Sequence, residues 1–316
     1  MKRSRFNEIK SAPFLNAKNL KMEENLKYQR IESKSPSDIS FKEWWQILLK
    51  VKNEIAADNL TIIAAGVSFY TFLAIFPTLI SIISVYGWVM EPVQVAKQLE
   101  EMARLLPSKA YSIIEERILK LTETPNDTLG WASILSFLFV LWSANAGIKA
   151  LFMGINIAYN TKQKRSFFKL NFIGLLFTLG SMIIAFLCMA FIVGLPTFAD
   201  NLGMQESLLF LVKWFSWIVL AIVVFFWFSV VYKFAPVRKH ATLKWVRPGA
   251  ITATVLWIIS SLGFSFYVSN FGNYDATYGS ISAVVILLFW LFITNFIILL
   301  GAEINSEAEQ RILQKA

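Results

Sequence analysis

The chain has a single cysteine, a single histidine and several long stretches without any charge, and each of these shortages narrows what the protein can be. Cys188 has no second thiol to pair with, so no intramolecular disulfide forms and cysteine usage says nothing about redox compartment. His240 stands alone in a basic loop, which removes the clustered histidines by which zinc-dependent hydrolases hold metal and activate water. No phosphate-binding Gly-rich loop, no Ser/His/Asp arrangement and no metal-ligand spacing is present. The expectation is therefore a protein that is not an enzyme, with no catalytic residue, no metal and no cofactor. The first forty residues are polar and lack the apolar core of a cleavable leader, so insertion is expected to use the first true span as its signal.

The missing charges then become the main positive signal. No ionisable acid or base lies between Asp58 and Glu91, Lys169 and Asp200, Arg247 and Asp275, or Asp275 and Glu303. Each gap exceeds the ~20 apolar residues needed to cross a bilayer. Leu129 to Tyr159 and Leu208 to Phe234 are equally apolar but each carries a lysine within it, Lys149 and Lys213, with Lys233 at the end of the second. Six such runs cannot share one water-soluble core in a chain of this length. The predicted fold class is all-α integral membrane: a six-transmembrane-helix bundle with spans at about 60–89, 129–159, 169–198, 208–234, 248–271 and 279–304.

Lys and Arg set the orientation. The connection 160–169 holds Lys162, Lys164, Arg165 and Lys169 with no acid, and 233–247 holds Lys233, Arg238, Lys239, Lys244 and Arg247, again with none. These loops are expected to face the cytoplasm. The alternate connections hold Asp200, Glu206 and Asp275, and the longer segment 91–127 has more acids than bases. Both termini are then cytoplasmic, in an inner (plasma) membrane. The net charge of +9 is read as a topology signal plus attraction to anionic inner-leaflet lipid, not as nucleic-acid binding.

Outside the spans the chain divides further. Residues 1–40 have the polar composition of a disordered tail. In 41–58, Phe41, Trp44, Leu48, Val51 and Ile55 recur at helical spacing behind a Ser40-to-Glu43 capping box. That pattern predicts an amphipathic helix, lying either on the inner leaflet or against the cytoplasmic ends of the spans. The segment 91–127 carries two apolar stripes separated by Pro107, the pattern of an external helical hairpin. Residues 59–305 form the membrane domain and 306–316 a short cytoplasmic tail.

Polar residues inside spans are costly, by ~2.5 to 3.5 kcal/mol for a charge at the helix centre, and so mark candidate sites. Asp58, Lys149 and Glu303 sit at comparable depth near the cytoplasmic side of three spans, where they either form one ion-paired cluster or reach separately to water. Asn145, Lys149, Asn156 and Tyr159 share one face of the second span, as a substrate path or as interhelical hydrogen bonding. Pro77 removes a helical hydrogen bond deep in the first span, where a kink beside Tyr70 and Thr71 shapes a cavity or serves packing alone. Ser261, Ser265 and Ser269 have the small-xxx-small spacing of closely approaching helices.

Several strings taken in order resemble one family. They are Ala64-Ala65-Gly66-Val67-Ser68-Phe69-Tyr70-Thr71 through Phe76-Pro77, Leu141-Trp142-Ser143-Ala144 with Asn156-Ile157-Ala158-Tyr159, Arg247-Pro248-Gly249-Ala250, and Tyr278-Gly279-Ser280 with Gly301-Ala302-Glu303-Ile304-Asn305. Together they resemble the YihY/virulence factor BrkB family, over about residues 41 to 305. The resemblance implies a bacterial inner-membrane protein of six helices. The family has also carried the name ribonuclease BN, which the single histidine and the absence of clustered carboxylate and histidine ligands disfavour. Two functions are expected: a transporter or flippase-like permease for an amphiphilic or anionic substrate, or a non-transporting membrane scaffold or envelope-integrity protein. Membrane lipids are the expected partners, nucleic acid is not, and a homo-oligomer is compatible with the sequence.

Overall fold

A computed structural model of the protein describes residues 33–89, 138, 142, 145–161, 163–189, 191, 195–238, 242–271 and 281–314. Most of the expected disordered tail, the whole external segment 91–127 and His240 lie outside them. Among the described residues the regular structure is helical throughout, with no strand.

After a short 3-10 turn, Pro36–Asp38, helix α1 runs Phe41–Ala57. The expected capping box starts it: Ser40 is extended, and its N–H donates to the Glu43 carboxylate at 3.0 Å. The chain then bends by 64° into α2, Leu60–Val89. Asn59 makes the bend with φ 53°, a left-handed conformation that Asn tolerates better than most residues. Residues 145–158 form α3. It ends in a Schellman closure: Asn160 has φ 53°, its N–H donates to Ile157 O (2.8 Å), and Thr161 N–H donates to Asn156 O (2.8 Å). There follow α4 (Phe167–Met189), the short α5 (Leu195–Asn201), α6 (Glu206–Phe234), α7 (Leu243–Phe271) and α8 (Ile281–Gln314).

Among the described residues four helices are long and apolar enough to cross a membrane, or five if α1 and the start of α2 count as one broken span. Their outer faces carry Phe172, Phe210, Trp214, Phe226, Ile259 and Phe266, all strongly exposed. A soluble protein does not leave so continuous an apolar surface in water. The interior holds Asn145, Asn156, Asn295, Asn305 and Glu303.

Helix α8 is the central element, packed on α7, α2 and α1. It continues through Gln314 instead of ending near 305 in a tail, because Ile304, Ala308 and Ile312 bury against Ile47 and Val51 of α1 and Trp245 of α7. Lys50 pairs with Glu307, and Arg311 with Glu43 and Gln46. Helix α1 thus packs on the bundle along Ile47, Val51 and Glu54, while Phe41, Trp45, Leu48 and Leu49 stay exposed.

Helices α7 and α8 approach closely at Gly249 and Gly301. Pro248 lies inside α7 and can neither donate a hydrogen bond nor leave its neighbours' ladder intact. Asn305 of α8 bonds the backbone on either side of this proline: its Oδ1 accepts from Gly249 N–H (2.7 Å) and its Nδ2 donates to Val246 O (3.1 Å). This works only because Gly249 and Gly301 face each other without side chains. Tyr232 of α6 adds a hydrogen bond to Ile298 O (2.8 Å) beside the same crossing.

A Cβ at Gly249 would run into the carbonyl oxygen of Gly301 and the amide of Asn305, whereas one at Gly263 would meet nothing within 4 Å. Gly249→Ala is expected to destabilise the protein by at least about 1–3 kcal/mol, while Gly263→Ala stays at or slightly above wild type. Thermal unfolding of the detergent-solubilised protein, followed by size-exclusion chromatography, checks this; equal midpoints for the two variants would contradict the crossing.

Candidate functional site

The polar residues singled out from sequence fall into separate settings. At the α1–α2 bend, Asp58 comes together with Glu303 of α8, as their comparable depth implies, and Glu54 of α1 joins them. Carboxylate oxygens of all three lie within 4.8 Å of one another, with Glu303 and Glu54 buried and Asp58 half-buried. All-oxygen donors are the type that Mg2+ or Ca2+ takes. Three carboxylates do not by themselves define a metal centre.

Lys149 is held by a different helix. Its Nζ donates to Asn171 Oδ1 of α4 (3.0 Å), which also accepts from Asn145 Nδ2 (3.2 Å). Asn171 in turn donates to Phe167 O (2.8 Å), so one side chain organises both Asn145 and Lys149. Gly174 makes room for Asn145, since a Cβ there would collide with its amide oxygen.

Asn156 and Tyr159, two turns further along α3, meet the loop between α6 and α7. Asn156 Oδ1 accepts from Val237 N–H (2.8 Å) and from the Thr161 hydroxyl (2.8 Å), and its Nδ2 donates to Phe152 O (2.7 Å) and more weakly to Ala235 O (3.4 Å). Arg165 caps the end of α6, donating to Phe234 O (2.7 Å) and Ala235 O (2.8 Å), with Pro236 O at 3.4 Å. Arg238 stacks over the Tyr159 ring (4.3 Å to the centroid), donates to Tyr232 O (2.9 Å) and pairs with Glu309. Burial alone would lower the Arg238 pKa, but Tyr159 and Glu309 beside it more than offset this and hold it above the ordinary value. Burial lowers that of Arg165, yet a guanidinium remains charged at any working pH.

Toward the other end of the bundle lies a cavity of about 370 Å3, lined by Thr71, Gly147, Thr178, Ser181, Trp227 and Asn295 among mainly apolar neighbours. Five helices, α2, α3, α4, α6 and α8, contribute to it. Its hydroxyls bond within their own helices: Thr71 to Val67 O (2.9 Å), Thr178 to Gly174 O (2.9 Å) and Ser181 to Phe177 O (2.8 Å). Asn295 is shared between Ser68 Oγ and Leu291 O, both at 3.0 Å. Thr71 therefore lines a cavity, whereas Tyr70 is exposed and packs edge-on against Phe69 at 5.7 Å. Pro77 falls within α2, but its side chain and the expected kink lie outside the described ones.

Sequence reasoning did not single out Asn171, Asn295, Asn305 or Glu54. A signal was present for the asparagines, since an amide in an apolar run needs a partner in hydrocarbon. Glu54 was masked by the amphipathic pattern, in which it reads as part of a solvated face. The serine spacing in α7 does not mark the close approach at its start; Ser265 is exposed, and the crossing belongs to Gly249.

An apolar exterior around internally matched polar groups defines a polytopic membrane protein. The chain belongs to the family described as Virulence factor BrkB, whose profile matches residues 51–316. It is 32% identical over 256 residues to the Bacillus subtilis "Putative ribonuclease-like protein YfkH", covering 78% of this chain and 90% of that protein. A UPF0761 membrane protein of Aliivibrio salmonicida is 25% identical, covering 93% of this chain and 90% of its own. One from Pseudoalteromonas translucida is 23% identical, with 83% and 85% covered. No solved structure matches.

Asn156→Ala would leave Val237 N–H and the Thr161 hydroxyl without this partner, and is expected to cost roughly 1–3 kcal/mol. Hydrogen exchange at Val237 should accelerate with it; unchanged exchange would mean that the loop is held by other contacts.

Proposed function

We propose that this protein is a permease or flippase-like transporter of the bacterial inner membrane, for an amphiphilic or anionic substrate. In this reading six spans cross the membrane, the basic connections and both termini face the cytoplasm, and segment 91–127 forms an external hairpin. The protein is not an enzyme and does not bind nucleic acid. The observation that carries the reading is the five-helix cavity of about 370 Å3, within the range of small-molecule sites. Its lining suits an apolar body with a few hydrogen-bonding groups better than a sugar. Polar groups at the membrane interior next to such a cavity are the usual mark of a transport path. Lys149 and Asn145, joined through Asn171, stand on the same pair of helices that wall the cavity at Gly147 and Thr178. The acidic group around Glu303 is assigned to gating from the cytoplasmic side.

A second reading, a non-transporting scaffold, draws on the bonding pattern. Asn156, Arg165, Arg238 and Asn305 spend their hydrogen bonds on neighbouring backbone, which locks the bundle without leaving groups for a substrate. The two readings differ over the cavity. Ser181→Phe fills it without touching the locks. The permease reading expects Ser181→Phe and Lys149→Ala to fold, with thermal midpoints close to wild type, and to fail to rescue the deletion phenotype. They should also lose the small molecule or lipid that co-purifies with wild type, seen by mass spectrometry. Full rescue by both variants would leave the scaffold.

A further inference from the structure

A second cavity, of about 490 Å3, opens between the start of α4 and the end of α6. We propose that it binds the phosphate headgroup of an anionic phospholipid drawn from the adjoining leaflet. Lys164, Arg165, Lys169 and Arg238 line it, and no acidic residue does. The charges are not equally committed. Arg238 is matched by Glu309, so it adds little net field. Arg165 is fixed in place by the carbonyls at the end of α6, which orient it without supplying a compensating carboxylate. Lys164 and Lys169 are exposed and make no ion pair or hydrogen bond among the described residues. The cavity thus concentrates three uncompensated cations around one opening.

Two further features bear on what enters it. Helix α4 starts at Phe167, and Ser166 and Lys169 at its first turn line the cavity, so the positive end of a 23-residue helix lies at this opening. The remaining wall is apolar: Ile173, Leu176 and Phe234 line it, and Phe168 and Phe172 stand exposed on the same helix. A free phosphate ion would have no use for that wall. A phospholipid uses both parts, its phosphodiester among the cations and its acyl chains along the outer face of α4. A general excess of positive charge on one side of the membrane requires no cavity, so the enclosure is what the topology rule leaves unexplained. At the inner end Phe177 lines this cavity and packs on Trp227, which lines the deeper one, with ring centroids 5.6 Å apart. The inference takes its leaflet from the orientation proposed above and is independent of whether anything is transported.

The test uses the full chain in nanodiscs of phosphatidylcholine, titrated with phosphatidylglycerol and followed by native mass spectrometry. Wild type is compared with K164Q/K169Q and with K42Q/K52Q, which removes the same charge from the exposed face of α1. All four lysines are exposed and make no ion pair with a carboxylate among the described residues, so each variant is expected to fold. Wild type should retain phosphatidylglycerol in preference to phosphatidylcholine. That preference should fall about fivefold for each cavity lysine removed, stay unchanged in K42Q/K52Q, and survive added inorganic phosphate. Equal retention of the two lipids, an unaltered preference in K164Q/K169Q, or the same loss in K42Q/K52Q would overturn the site. Displacement of the lipid by inorganic phosphate would overturn the lipid assignment and make the cavity a site for a soluble phosphoanion.

Discussion

The structure depends on one constraint: inside an apolar surround every backbone and side-chain polar group must find its partner within the protein. The crossing of α7 and α8 shows it most directly. Pro248 interrupts the hydrogen-bond ladder of α7. Asn305 supplies both a donor and an acceptor to the backbone flanking it, at Val246 O and Gly249 N–H. That solution requires backbone contact, hence glycine at 249 and 301, and the contact in turn fixes where α8 lies relative to α7.

The same logic organises the polar end of the bundle. Asn156 serves Val237, Arg165 serves the last carbonyls of α6, and Arg238 joins Tyr232, Tyr159 and Glu309. These bonds tie α3, α6 and α8 to the connections on either side of them. The cavity toward the other end is bounded by hydroxyls that bond their own helices. Such bonds give little adhesion between helices, and Asn295 adds a bond from α8 to Ser68 of α2 at 3.0 Å.

Much of the helical plan was legible in the sequence because the bilayer imposes it. Long apolar runs foretold α2 and α6 to within about two residues, and the capping box located the start of α1; α7 starts earlier than its expected span, and the expected span 169–198 is divided between α4, which ends at Met189, and α5, which starts at Leu195. Helix α8 outran its expected end because Glu307, Glu309 and Arg311 resemble a solvated tail until their partners Lys50, Arg238 and Glu43 are seen. A helical wheel puts Asn145, Lys149 and Asn156 on one stripe of α3 but cannot show that its two halves meet different neighbours. Asp58 and Glu303 share a depth that the spans revealed, whereas Lys149 finds Asn171 through a rotation of α4 about its axis that no single-sequence pattern encodes.

The central claim is that the five-helix cavity is a passage, and accessibility of Thr71 tests it most directly. In a Cys188→Ser background, Thr71→Cys can be probed with a membrane-impermeant thiol reagent in right-side-out and inside-out vesicles. A passage that opens alternately predicts labelling from both sides. Labelling from neither side, with a membrane-permeant maleimide still reacting, would show a closed packing void and contradict the account.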